Sequence, residues 1–147
     1  MSRSAVVLID DRVLVEELLV GLRWGRSRPI VYTTQYWYYR ACRAAVAGAG
    51  GHLSGPFEQL AAAEQQRAIL SLLALSENIE LPDPRVTVPL MAEVARLHPT
   101  LNLLNVAATA AAMVLDAEVW LSAPAANGIL PSVLEAQRAR WRTAQLG

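Results

Sequence analysis

Short apolar runs alternate with amphipathic stretches along this 147-residue chain, and that alternation constrains its fold more than any other feature. The run AVVLI at 5–9 is continuously apolar and rich in β-branched residues, which is typical of a strand covered on both faces. From Arg12, apolar residues recur with the spacing of one helix face. Strands that alternate with helices form a parallel sheet through right-handed crossovers. The sequence therefore predicts one three-layer α/β domain, a short parallel sheet flanked by helices.

The same two patterns place the remaining elements. Further strands are predicted at 29–34 and 118–123, with a shorter one at 78–81. Further helices are predicted at 35–48, at 63–75, from about residue 86 with Pro89 in the first turn, and over the alanine-rich stretch 101–117. The glycine-rich segment 48–60 is expected to be a loop, either mobile or folded over the surface. We expect residues 1–125 to form the α/β domain and residues 126–147 to form a C-terminal amphipathic helix packed on it.

Composition excludes several classes of protein. The 13 acidic residues balance the 13 basic ones, so no overall charge favours nucleic acid or an anionic membrane. Cys42 is the only cysteine, which prevents an intrachain disulfide and favours a reducing compartment.

Two aspartates follow the first apolar run too closely for a signal peptide, and polar residues interrupt the apolar stretch 101–122. A cytoplasmic location without membrane contact is expected. His52 and His98 lack partners at zinc-ligand spacing.

In a parallel α/β sheet, binding sites form beyond the carboxyl ends of the strands. In this chain those ends read IDDR, YTTQ and WLSAP. The first of them carries Asp10, Asp11 and Arg12. Function is therefore sought at this edge of the sheet.

The order of these elements resembles PIN-domain proteins. VVLIDDRVLV is similar to their opening, in which a strand ends in an aspartate and a helix begins at once. The stretch from RAILSLLALSENIEL to HPTLNLLNVAATAAAMVLDAEVWLSA resembles the second half of bacterial PIN domains of the toxin type. The resemblance covers roughly residues 5–125. It implies a small α/β fold and, in members that cut RNA, a group of carboxylates around Mg²⁺ or Mn²⁺.

The acidic positions that the resemblance implies are mostly lost here. The first family aspartate matches Asp10, but the small polar residue that follows it falls on Arg12. The second acid would lie near Arg40, the third matches Asn105, and the fourth falls on or next to Pro124. The resemblance thus implies a degenerate metal site that needs no cofactor. Asp10 is then expected to pair with an arginine or a helix N-terminus, and Asp11 to cap the first helix.

The predicted helix at 35–43 has an unusual composition, with four aromatic residues followed by two arginines. On a helix, Tyr36, Tyr39, Arg40 and Arg43 share one face, which could stack bases and hold phosphates. A domain of this size cannot bury every aromatic side chain, although core packing is expected for Trp37. We expect this face to contact a protein partner or a second copy in a homodimer, and RNA is a further candidate.

Three functions remain open from the sequence. The leading hypothesis is a non-catalytic protein- or RNA-binding module, with Asp11, Arg12, Asn105 and the 35–43 helix as the binding residues. The alternative is a toxin-like ribonuclease that depends on Mg²⁺ or Mn²⁺ and uses Asp10. Its missing ligands would come from Asp11, Glu16, Glu93 or Asp116. A flavodoxin-like receiver domain would use the Asp10–Asp11 pair, but the chain contains no lysine to complete its site.

Overall fold

Five parallel strands form the centre of the protein in the order β3-β2-β1-β4-β5. The computed structural model describes residues 5–47 and 60–145. The strands are β1 (Val6–Ile9), β2 (Ile30–Tyr32), β3 (Ile79–Glu80), β4 (Glu118–Leu121) and β5 (Arg140–Thr143). Strand β1 lies in the middle and pairs in parallel with both β2 and β4. The predicted α/β class with a parallel sheet is confirmed.

Helices cover both faces of this sheet. They are α1 (Asp11–Leu19), α2 (Gln35–Ala47), α3 (Ala62–Leu73), α4 (Pro84–Leu97), α5 (Leu103–Leu115), α6 (Ala123–Ala126) and α7 (Leu130–Ala136). Val7 and Ile9 point to the face where α1, α2 and α3 pack. Leu8 and Val119 point to the opposite face, against the alanines of α5 and the leucines of α7. The side chains of β1 alternate between two buried faces, which explains its uninterrupted apolar sequence.

The alanine-rich helix α5 lies close to the sheet. Ala108 and Ala110 are fully buried, and Ala111 is 1% exposed. Small side chains let the helix backbone approach its neighbours closely. On its outer side, α5 packs against α4 through Val94 and Val106. This placement fixes the start of α5 at the carboxyl edge of the sheet.

The predicted C-terminal helix over 126–147 is wrong in its second half. Helix α7 ends at Ala136, and Arg138 then adopts a left-handed conformation with φ of 61°. The chain turns there and forms β5, which pairs in parallel with β4 from Glu118 to Leu121. Backbone hydrogen bonds to the sheet override the helical propensity of this segment. Residues 140–143 therefore belong to the sheet and are not part of a helix packed on it.

The start of α4 also differs from the prediction. Helix α4 begins at Pro84, not near residue 86, because the Asp83 side chain accepts a hydrogen bond from the Arg85 backbone N–H and caps it. Pro89 consequently lies inside the helix and not in its first turn. The predicted loop at 48–60 lies, up to residue 59, outside the described residues, and so does His52. No described helix is long and apolar enough to cross a membrane.

Candidate functional site

A cleft of about 220 Å³ opens at the carboxyl edge of the sheet, where the sequence predicted a site. It lies beside the end of β4 and the first turns of α1 and α5. Charged and polar side chains share its lining with apolar ones: Asp11, Arg12, Trp37, Arg40, Asn102, Leu104, Asn105, Ser122, Pro124 and Ala125. Four of the predicted site residues, Asp11, Arg12, Arg40 and Asn105, are thus brought together from three different helices.

Asp10 lies beneath the cleft. It is fully buried, and both of its carboxylate oxygens accept hydrogen bonds from the protein. One carboxylate oxygen accepts a hydrogen bond from the backbone N–H of Val13 at 2.9 Å and so caps α1. The other accepts from the backbone N–H of Ser122 at 2.8 Å and from its hydroxyl at 2.6 Å. Burial raises the pKa of Asp10, and the hydrogen bonds from Ser122 and Val13 oppose that rise.

The structure confirms one of the two partners predicted for Asp10, the helix N-terminus, but the role predicted for Asp11 is wrong. Asp10, not Asp11, caps α1, and Asp11 is its first helical residue. The expected ion pair forms on Asp11: its carboxylate lies 3.3 Å from the Arg40 guanidinium. Burial and the neighbouring charge of Asp10 raise the pKa of Asp11 to about 6, against the attraction of Arg40. Of the two partners expected for Asp10, an arginine or a helix N-terminus, the structure shows the N-terminus of α1, together with Ser122.

Asn105 lies in the first turn of α5 and lines the cleft as predicted. Its backbone N–H donates to the side-chain oxygen of Asn102, the N-cap of the helix, at 2.9 Å. Its carbonyl accepts from the Thr109 hydroxyl at 2.8 Å. Both asparagines therefore bring side-chain amides to the cleft at the positive end of α5.

These residues do not fit a hard divalent cation. Mg²⁺ and Mn²⁺ need several oxygen ligands, mainly carboxylates. Both oxygens of Asp10 accept hydrogen bonds inside the protein, and Asp11 shares the cleft with Arg12 and Arg40. Within residues 5–47 and 60–145, no three Asp, Glu, His or Cys side chains lie close enough together to hold a metal ion.

The other acids considered as ligands lie elsewhere. Glu16 lines a separate groove beside Trp120, and Glu93 forms an ion pair with Arg96 on α4. Asp116 follows the last residue of α5, at the far end of that helix from Asn105. None of these three carboxylates lines the cleft.

The aromatic residues of α2 divide as the sequence predicted, with Trp37 in the core. Trp37 is 4% exposed and packs with Leu8 and the α5 alanines. Tyr39 is 63% exposed, and Arg43 is exposed on the same helix. Tyr36 is half-buried and lines a small cavity between α2, α4 and α5 instead of the cleft. Of the four residues predicted to share one face of α2, only Arg40 lines the cleft, and Tyr39 and Arg43 form an exposed surface outside it.

No protein-family model matches this chain, and no curated protein matches it. Among solved structures, the fold is similar to that of a chain in the structure of VapBC-1 from nontypeable Haemophilus influenzae. The TM-score is 0.56 at 10% sequence identity, and the match covers 94% of this chain and 97% of the other. A likeness at this identity concerns the fold alone. It agrees with the PIN-like α/β architecture that the sequence resemblance implied.

Two residues of the site were not identified from the sequence. Ser122 directly follows β4 in the WLSAP segment, so its position at a strand end was a usable signal. Asn102 precedes Asn105 by three residues at a helix start. This is the spacing between an N-cap residue and the backbone N–H that donates a hydrogen bond to its side chain. Contact between Ser122 and Asp10 spans 112 positions of the chain, and no local pattern reports it.

Proposed function

We propose that this protein is a PIN-like domain whose metal site has become a binding cleft, and that it acts by binding and not by cutting RNA. The observation that supports this proposal most directly is that both carboxylate oxygens of Asp10 accept hydrogen bonds within the protein. Its carboxylate accepts three hydrogen bonds and is 0% exposed, so its oxygens serve the fold. A metal ligand would need at least one of those oxygens to face the cleft.

The charge of the cleft supports the same conclusion. Arg12 and Arg40 line it together with the single carboxylate of Asp11. The two fixed positive charges repel a divalent cation. The ion pair with Arg40 also makes the Asp11 carboxylate less available to a metal ion. The arrangement instead favours negatively charged or hydrogen-bond-accepting groups.

RNA cleavage in the presence of Mn²⁺ tests this proposal, with wild type and Asp10→Asn purified identically. Asparagine is also a good N-cap residue, so the variant retains that role while losing the charge. Circular dichroism checks that the variant is folded. We expect neither protein to cleave RNA. Cleavage by the wild type that disappears in Asp10→Asn would contradict the proposal and establish the alternative, a ribonuclease that depends on Mg²⁺ or Mn²⁺.

We also propose that the outward face of α2 contacts a protein, most simply a second copy of this chain. Tyr39 exposes 63% of its surface and Val46 exposes 66% on this helix. Aromatic side chains of this kind are enriched at protein interfaces. Light scattering coupled to gel filtration tests this with Tyr39→Ser, and Leu70→Ser is the control because Leu70 on α3 is also 63% exposed.

The two variants should behave differently. A homodimer through α2 would be supported if wild type and Leu70→Ser were dimeric while Tyr39→Ser was monomeric. A monomeric wild type, or a dimer that Tyr39→Ser leaves intact, would exclude that interface.

A further inference from the structure

We propose that the cleft binds a phosphate group, presented by a nucleotide or by an RNA strand, between the guanidinium groups of Arg12 and Arg40. The inference rests on the proposed function, because it needs a cleft that is free of metal. It goes further by naming the chemistry of the ligand. The two arginines come from different helices, Arg12 from the first turn of α1 and Arg40 from the middle of α2, and both line the same cleft.

The charges of the cleft are only partly balanced. Arg40 contacts Asp11 at 3.3 Å, yet its side chain remains 46% exposed. Among the described residues, no carboxylate lies within ion-pair distance of Arg12. A guanidinium group carries several N–H donors in a planar fork that matches the oxygens of a phosphate. Arg12 can therefore bind an anion without first breaking an ion pair.

Neutral donors also line the cleft. Asn102, Leu104 and Asn105 line the cleft at the start of α5, a helix of 13 residues. The oxygen of the Asn102 side chain is engaged by the N–H of Asn105, so only its amide nitrogen remains to donate. The positive end of the helix adds to the field of the two arginines. The helix supports this site, but the pair of guanidinium groups defines it.

Size and shape favour phosphate over a segment of an acidic protein. The cleft holds about 220 Å³. That is room for a small anion and the group attached to it. A phosphate directs its oxygens in several directions and can accept from both arginines and an asparagine together. A carboxylate has only two oxygens in one plane, which pair side by side with a single guanidinium fork, so it matches two guanidinium groups from different helices less well.

Fluorescence anisotropy with a labelled single-stranded oligoribonucleotide tests the inference, first with EDTA present and then with Mn²⁺ in its place. Adenosine monophosphate, inorganic phosphate and a polyglutamate peptide serve as competitors. The variants are Arg12→Gln and Arg40→Gln, and Arg67→Gln is the control because Arg67 is exposed on α3, away from the cleft. Arg12→Gln breaks no ion pair among the described residues, so it remains informative if loss of the Asp11 contact unfolds Arg40→Gln.

We expect Arg12→Gln and Arg40→Gln each to weaken oligonucleotide binding by about tenfold and to lower the salt slope by about one, while Arg67→Gln leaves both unchanged. Competition by the mononucleotide and phosphate at similar concentrations would identify an isolated phosphate as the ligand. Competition by neither would indicate that a longer strand is needed. Competition by polyglutamate alone, or equal binding by wild type and both variants, would overturn the inference.

The outcome is separable from that of the proposed function. Absence of cleavage together with absence of phosphate-dependent binding would leave a non-catalytic domain with another ligand. Binding that required Mn²⁺ would overturn both, because the phosphate would then be held by a metal ion and not by Arg12 and Arg40.

Discussion

The raised pKa of Asp11 predicts that the folded protein loses stability as the pH rises. Its pKa is raised from 3.8 to about 6 in the folded protein, by burial and by the nearby charge of Asp10. The folded protein therefore binds this proton more tightly than the unfolded chain does. The resulting stabilisation is complete below pH 3.8 and is lost as the pH rises through about 6. Over this window Asp11 lowers the free energy of unfolding as the pH increases.

The size of this effect follows from the same two pKa values. The interval from 3.8 to about 6 corresponds to about 3 kcal/mol, at about 1.36 kcal/mol for each pH unit. The Asp11 side chain is only 9% exposed, so solvent screens this effect little. Asp10 shifts in the same direction and is present in both wild type and Asp11→Asn, so the comparison measures Asp11 together with its repulsion from Asp10.

Urea denaturation across this pH range measures the effect. Wild type should lose about 3 kcal/mol of unfolding free energy relative to Asp11→Asn between pH 3.8 and pH 7. Asp116→Asn is the matched control, because Asp116 is exposed and asparagine tolerates its left-handed backbone. If the difference between wild type and Asp11→Asn instead grew in favour of wild type with rising pH, attraction to Arg40 would outweigh burial and the reasoning would be refuted.

Three other substitutions test the contacts that build the site. Ser122→Ala removes the 2.6 Å hydrogen bond to the buried carboxylate of Asp10 and should lower the free energy of unfolding by about 1.5–3 kcal/mol in urea. Ser132→Ala, which removes an exposed hydroxyl, should cost less than about 0.5 kcal/mol, and equal losses would show that the Asp10 contact is not special. Asn102→Ala removes the N-cap of α5 and should cost about 1 kcal/mol, read from thermal unfolding; an unchanged melting temperature would exclude the cap. Leu134→Ala empties a fully buried position and should cost about 2–5 kcal/mol in urea, whereas a smaller loss would mean that the core refills the space.

The sheet and the location of the cleft could be predicted because they follow from local patterns. The apolar run before Asp10 and the second one before Thr33 each identify a strand within a few residues. Parallel strands then bring their carboxyl ends to one edge, whatever the details of packing. For this reason Asp11 and Arg12 could be assigned to the site from the sequence, whereas Asn105 was implied by the resemblance to PIN domains.

Long-range contacts could not be predicted in the same way. The C-terminal segment contains residues with good helix propensity, yet pairing with β4 converts 140–143 into a strand. Trp24 and Trp120 stack with ring centroids 4.9 Å apart, although they are far apart in sequence. The capping of α1 by Asp10 and not by Asp11 has the same origin. A shift of one residue decides which carboxylate meets Ser122, and only the packed structure sets it.

Asp10 shows why one aspartate at the end of a central strand does not define a metal site. At this point three elements meet: β1 ends, α1 begins, and β4 passes alongside. A carboxylate here can satisfy the first turn of α1 and the backbone after β4 at once, which is a structural reason to retain it without any metal. What distinguishes the two uses is the charge of the surrounding residues. With Arg40 on Asp11 and an amide at Asn105, the cleft above Asp10 is suited to an anion and not to a cation.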